Sequence, residues 1–128
     1  MITGTKGMYE FTVTAEQLAS RVGSGLVEVF STPMLIAAME GTAAQSVAGQ
    51  LEPGQTTVGT RLDVRHLAAT PEGMRVRVET RLTQVDGRRL TFQVEAFDEV
   101  EKIGEGTHER FVVDQQKFIA RARAKRPE

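Results

Sequence analysis

The chain contains no cysteine. That one absence excludes a disulfide framework, a zinc–thiolate site and a cysteine nucleophile together. An excess of charge of either sign is missing too. Lys and Arg number 16 against 17 Asp and Glu, giving a formal net charge of −1. No global attraction to nucleic acid or to an anionic membrane is therefore expected. The opening "MITGTKGMYEF" has no apolar core of signal-peptide length, and no later run is long enough to span a bilayer. The cytoplasm is the expected compartment. With 128 residues, 40% hydrophobic and 26% charged, the sequence reads as one domain, residues 1–128, with a single core.

What is present is best entered at residues 31–41, "STPMLIAAMEG". Ser31 or Thr32 suits a helix N-cap, and Pro33 suits the first helical position, where its missing N–H costs nothing. Every residue from Met34 to Met39 is apolar, so the helix, about 33–49, is expected to be buried on all sides. Glu40 interrupts that run. A carboxylate in such a place is costly unless it is paired, protonated or used.

The rest of the chain reads mostly as strand. "GMYEFTV" is a short strand, "TAEQLAS" a brief capped turn of helix, and "GSG" at 23–25 a break. From Thr56 to Val113 long alternating segments are separated by "TPEG" and by "DG" at 86–87, a strong hairpin signal. "DQQKFIARARAKRPE" closes the chain as a basic amphipathic helix. The strands alternate because one sheet face meets the core and the other meets water. The apolar helix is the obvious cover for that face. Periodicity alone gives only the class α+β, one antiparallel sheet and one buried helix; a sheet wrapped around a long central helix is the hotdog architecture.

Parity locates further candidates. Along 56–68, Val58, Leu62, Val64 and His66 share one face, and Arg61, Asp63 and Arg65 share the other. His66 thus points towards the helix that carries Glu40, and a His66–Glu40 pair is expected in a desolvated site. Burial would raise the glutamate's pKa and an imidazolium would lower it, so Glu40 is a candidate base. Thr32 serves either as the N-cap or as a hydroxyl beside the exposed amides of a helix N-terminus, which can hold a developing oxyanion. Thr32 and Glu40 are eight residues apart, about 12 Å along the axis. They cannot touch within one chain, so a substrate spans the gap or a second subunit supplies one of them. Gly59 marks a bulge or a close approach within its strand. Gly104, Gly106, His108 and Arg110 share a parity; His108 ranks as the weaker histidine, and Arg110 as an anion binder or a surface ion-pair partner.

"VFSTPMLIAAMEGTA", "HLAATPEG", "GTHER" and the trailing "KFIARARAK" resemble the hotdog-fold fluoroacetyl-CoA thioesterase family, from about Val29 to the C-terminal helix. The resemblance implies an acyl-CoA thioesterase acting on a small acyl group, with Thr32, Glu40 and His66 catalytic and Gly59 and Arg110 contacting substrate. It implies no metal and no cofactor, coenzyme A entering as part of the substrate. It also implies a homodimer or higher homo-oligomer with sites at the subunit interface. The fluoroacetyl-specific enzyme has a longer, phenylalanine-bearing segment that lids its site. Here "SRVGSGLVEVF" is shorter and has Phe30 as its one aromatic, so thioester chemistry carries over and fluoroacetyl specificity does not. The basic tail (Lys117, Arg121, Arg123, Lys125, Arg126) either meets the coenzyme A phosphates or is simply solvated. A non-catalytic acyl-CoA-binding module and an enoyl-CoA hydratase on the same fold are the competing readings.

Overall fold

The structure, a computed structural model, describes residues 1–127. Strand β1 (Lys6–Thr12) leads through a 3-10 turn (Ala15–Gln17) and the short helix α1 (Ala19–Val22) to the central helix α2 (Thr32–Val47). A 3-10 turn (Ala48–Gln50) follows, then β2 (Gln55–His66), β3 (Arg75–Asp86), β4 (Arg89–Asp98), β5 (Lys102–Asp114) and helix α3 (Gln115–Arg123). The five strands form one antiparallel sheet in the order β1-β3-β4-β5-β2. Helix α2 crosses one face and touches every strand. This is the expected hotdog arrangement.

Alternation explains the sheet. Val76, Val78 and Leu82 of β3 and Leu90, Phe92, Val94 and Ala96 of β4 are buried, and most residues between them face solvent. Leu35, Met39, Ala43 and Val47, each four residues on from the last, lay a fully buried stripe of α2 onto that face. Gly104 lets the helix settle on β5. A Cβ there would lie 2.9 Å from the Leu35 side chain and 3.2 Å from that of Met39.

The helix is not buried on all sides. Pro33, Ala37, Gly41 and Gln45 form an exposed stripe opposite the buried one. A single sheet covers one side of a helical cylinder, and here the uncovered side is made of small rather than charged residues. Composition therefore hid it.

The parity reading of β2 fails at its first residue. The β2–β5 register shifts between Gly59 and Arg61, a bulge that reverses which residues face the helix. Before it, Thr57 pairs with buried Val112 and Gly59 with Arg110; after it, Leu62 pairs with His108 and His66 with Gly104. Val58 instead pairs with exposed Phe111 on the outer face. Strands β1 and β2 are the sheet's two edges.

Candidate active site

Two clusters of polar side chains lie on α2, one at its N-terminus and one two turns further on. The first begins with capping. Ser31 is the N-cap, its hydroxyl accepting from the Met34 N–H at 3.4 Å. Thr32 is therefore the first helical residue and Pro33 the second. With the cap supplied by its neighbour, the Thr32 hydroxyl is free for another partner and lies 2.8 Å from His66 Nδ1, at the last position of β2. Other nearby amides are committed: Ser31 N–H donates to the Gln17 carbonyl and Leu35 N–H to the Ser31 carbonyl. Pro33 has none to offer.

His66 Nε2 is buried and has no hydrogen-bond partner among the described residues. Burial lowers the imidazole pKa from its ordinary value, against an opposing backbone contact with Ala68. The ring is thus held neutral near pH 7. Thr32 and His66 line an open cavity of about 290 Å³ with Ser24, Val29, Ala68 and Ala69. Phe30 is fully buried, bridged to Leu18 and packed 5.6 Å from the Phe11 ring. Leu26 and Val27, in the preceding turn, are 94% and 66% exposed.

The second cluster centres on Glu40. Its Oε2 lies 3.2 Å from Arg110 Nη1, and the side chains are 37% and 9% exposed respectively. The same carboxylate oxygen takes the space in which a Cβ at Gly59 would stand. The glycine thus serves both readings, bulge and close approach. Arg110 Nε donates to the Thr57 hydroxyl at 2.8 Å, and Nη2 to the Thr57 carbonyl at 3.0 Å. Nη1 also lies 3.1 Å from His108 Nε2, whose ring Nδ1 is 2.8 Å from the Arg61 carbonyl. Burial lowers the Arg110 pKa from its ordinary value, and the Glu40 charge opposes this. For His108 burial again lowers the pKa, opposed by the Arg61 backbone contact and assisted by the Arg110 charge.

These contacts rearrange the expected pairs. Within one chain Glu40 is held by Arg110, not by His66, while His66 is held by Thr32. Arg110 is no surface residue, and His108, ranked second by its charged neighbours, is fully buried beside Glu40's partner. The spacing His108-x-Arg110 on one face was the available signal. Thr57 was missed because parity was carried straight through the bulge. Among the described residues, no group of three or more His, Cys, Asp or Glu is placed to hold a metal ion.

A family model for fluoroacetyl-CoA-specific thioesterases matches residues 13–116. The chain belongs to that family. It is 46% identical over 100 residues to the fluoroacetyl-CoA thioesterase of Streptantibioticus cattleyicolor, covering 78% of this chain and 72% of that one. A solved structure of the fluoroacetyl-CoA thioesterase superposes with a TM-score of 0.94 at 38% identity, covering 99% of this chain and 98% of the other. A thioesterase superfamily member from Thermus thermophilus superposes at 0.88 with 31% identity, covering 96% and 91%. Within this family frame, both clusters fall inside the matched segment, and so do the turn at 23–29 and buried Phe30.

Proposed function

We propose that this protein hydrolyses acyl-CoA thioesters at a site shared between two subunits. One observation carries the proposal: the reactive groups divide into Thr32 with His66 and Glu40 with Arg110, held apart on one chain yet both lying along β2. Gly59 and His66 are seven residues apart, roughly 23 Å of strand. A two-fold axis crossing β2 between Leu62 and Asp63 exchanges the two ends. It would bring Thr32 and His66 of one subunit to Glu40 of the partner subunit, and it would cover an edge strand that is otherwise open to association.

The chemistry follows from the groups. Water adds to the thioester carbonyl while Glu40 takes its proton. The oxyanion of the tetrahedral intermediate forms beside the Thr32 hydroxyl and the N-terminus of α2, where the helix dipole favours negative charge. Collapse breaks the C–S bond, and the proton returns to the coenzyme A thiolate, with His66 as its carrier. Gly59 leaves Glu40 its space, and Arg110 holds the carboxylate aimed. No metal or cofactor enters these steps. The expected setting is the cytoplasm; among the described residues no helix is long and apolar enough to cross a membrane.

Purified protein incubated with a panel of short acyl-CoAs and a thiol reagent tests this. Catalytic release of free thiol is expected. Tight binding without turnover would instead identify a binding module, and loss of enoyl absorbance a hydratase.

A further inference from the structure

The guanidinium of Arg110 carries five N–H groups. Nε and Nη2 each give one to Thr57, and the two on Nη1 go to Glu40 and His108. One N–H, on Nη2, remains. A guanidinium so committed cannot clamp a phosphate bidentately. It is an orienting group whose own orientation is fixed by its acceptors.

His108 is the informative acceptor. Its Nε2 faces an Nη1–H donor that cannot be given up, so Nε2 must present a lone pair. Its Nδ1 faces the Arg61 carbonyl, an acceptor, so Nδ1 must carry the proton. Both ends of the ring are thereby assigned. The Arg61 carbonyl belongs to the strand segment where the bulge interrupts the β2–β5 ladder. The ring therefore connects the bulge to the arginine. Phe92 of β4 stacks against it at 6.2 Å, and both rings are fully buried. The charged groups facing His108 are Arg110 and Glu109 on β5 and Glu40 on α2.

We infer that His108 is a positioning residue: a neutral imidazole, protonated on Nδ1, that ties the Gly59–Arg61 bulge to Arg110 and so fixes the Glu40 carboxylate. Protonation at Nε2 would set an N–H against the guanidinium N–H at 3.1 Å. Arg110 would then turn from its acceptors and Glu40 would lose its fixed partner. The inference deepens the proposed function and uses its assignment of Glu40.

Two measurements test it. The chain has two histidines, so ¹⁵N-histidine labelling gives two ring systems to follow by NMR, and a His66→Gln variant assigns them. His108 is expected as the Nδ1–H tautomer, neutral at pH 7; an Nε2–H tautomer or an imidazolium at that pH overturns the inference. This reading needs no catalysis, so it stands even if no acyl-CoA is turned over. In the kinetic arm, His108→Ala is expected to lower kcat, at constant folded fraction, on the order of 10²-fold through a misplaced carboxylate. His108→Gln is expected to recover most of that loss, because its side-chain carbonyl can accept from Nη1. Equal loss in both folded variants, or no loss in His108→Ala, overturns it. Because His108 is fully buried, the alanine variant's folded fraction is measured first. The NMR arm decides if the variant does not fold.

Discussion

The Glu40 carboxylate occupies the place that a side chain at Gly59 would need. The bulge at Gly59 and the glutamate of α2 are thus one feature, not two. A Gly59→Ala methyl would meet the far end of a flexible side chain rather than backbone, so the fold has room to adjust while Glu40 does not keep its position. The expected outcome is a thermal midpoint within a few degrees of wild type with turnover lowered about tenfold or more. A variant that is strongly destabilised but fully active per folded molecule would separate Gly59 from the site.

Glu40→Gln keeps size and most hydrogen-bonding capacity but removes the base. Turnover is expected to fall by roughly 10²-fold or more, with stability retained. A carboxylate that served structure alone would show the reverse: a clear loss of stability through Arg110 and little change in turnover.

Acid should weaken the fold through both histidines. Each has a folded-state pKa below its ordinary 6.5, chiefly because burial disfavours the charged ring. Below pH 6.5 the unfolded chain therefore binds protons that the folded chain refuses. Stability is full above that pH, falls as pH drops, and stops falling from this cause once the folded-state values are passed. Denaturant midpoints at pH 7.5 and 5.5 check this, the lower value being expected at 5.5. The difference should shrink in a His66→Gln, His108→Gln double variant, and a midpoint higher at pH 5.5 would contradict the assignment.

Selection of fluoroacetyl-CoA over acetyl-CoA should be weak. The segment before α2 is short, Phe30 is locked in the core, and Leu26 stands almost fully exposed. Among the described residues Phe30 is the one aromatic lining the cavity beside Thr32, and its side chain is buried in the core rather than closed over the opening. Recognition of one small substituent in a pocket is worth about 1–3 kcal/mol, and an open pocket gives less. A kcat/KM ratio for the two thioesters near 10⁴ or above, measured on one preparation, would show that selectivity does not require a lid. A preference for larger acyl groups is the expected pattern.

The sheet and its helix were legible because each strand's alternation and the "DG" turn agree with one another, and no local preference opposes the fold. The candidate site was legible residue by residue but not in its pairing. Glu40, His66 and Gly59 each violate a local rule: a carboxylate in an apolar helix, a histidine with valines, a glycine in a strand. Such violations are visible without coordinates. Which of them meet is set by position along β2 and α2 and by a single inserted residue in β2. That bulge shifts the facing parity and puts Thr57 and Gly59 beside Arg110 and Glu40, while His66, at the far end of the strand, meets Thr32. Nothing in the alternation marks its position except Gly59 itself. The exposed stripe on α2 was hidden for a simpler reason, since Ala and Gly read as buried by type.

The central claim is that a working site takes Thr32 and His66 from one subunit and Glu40 from the partner subunit. Mixing two inactive variants tests it most directly. Glu40→Gln and His66→Ala chains are purified separately, unfolded together at equal amounts and refolded. If the site is shared, half of the dimers are mixed and each has one of its two sites intact, so activity should return to about a quarter of wild type. Neither variant refolded alone should recover. If instead each chain carries its own complete site, the mixture stays as inactive as its components, and that result would contradict the shared site.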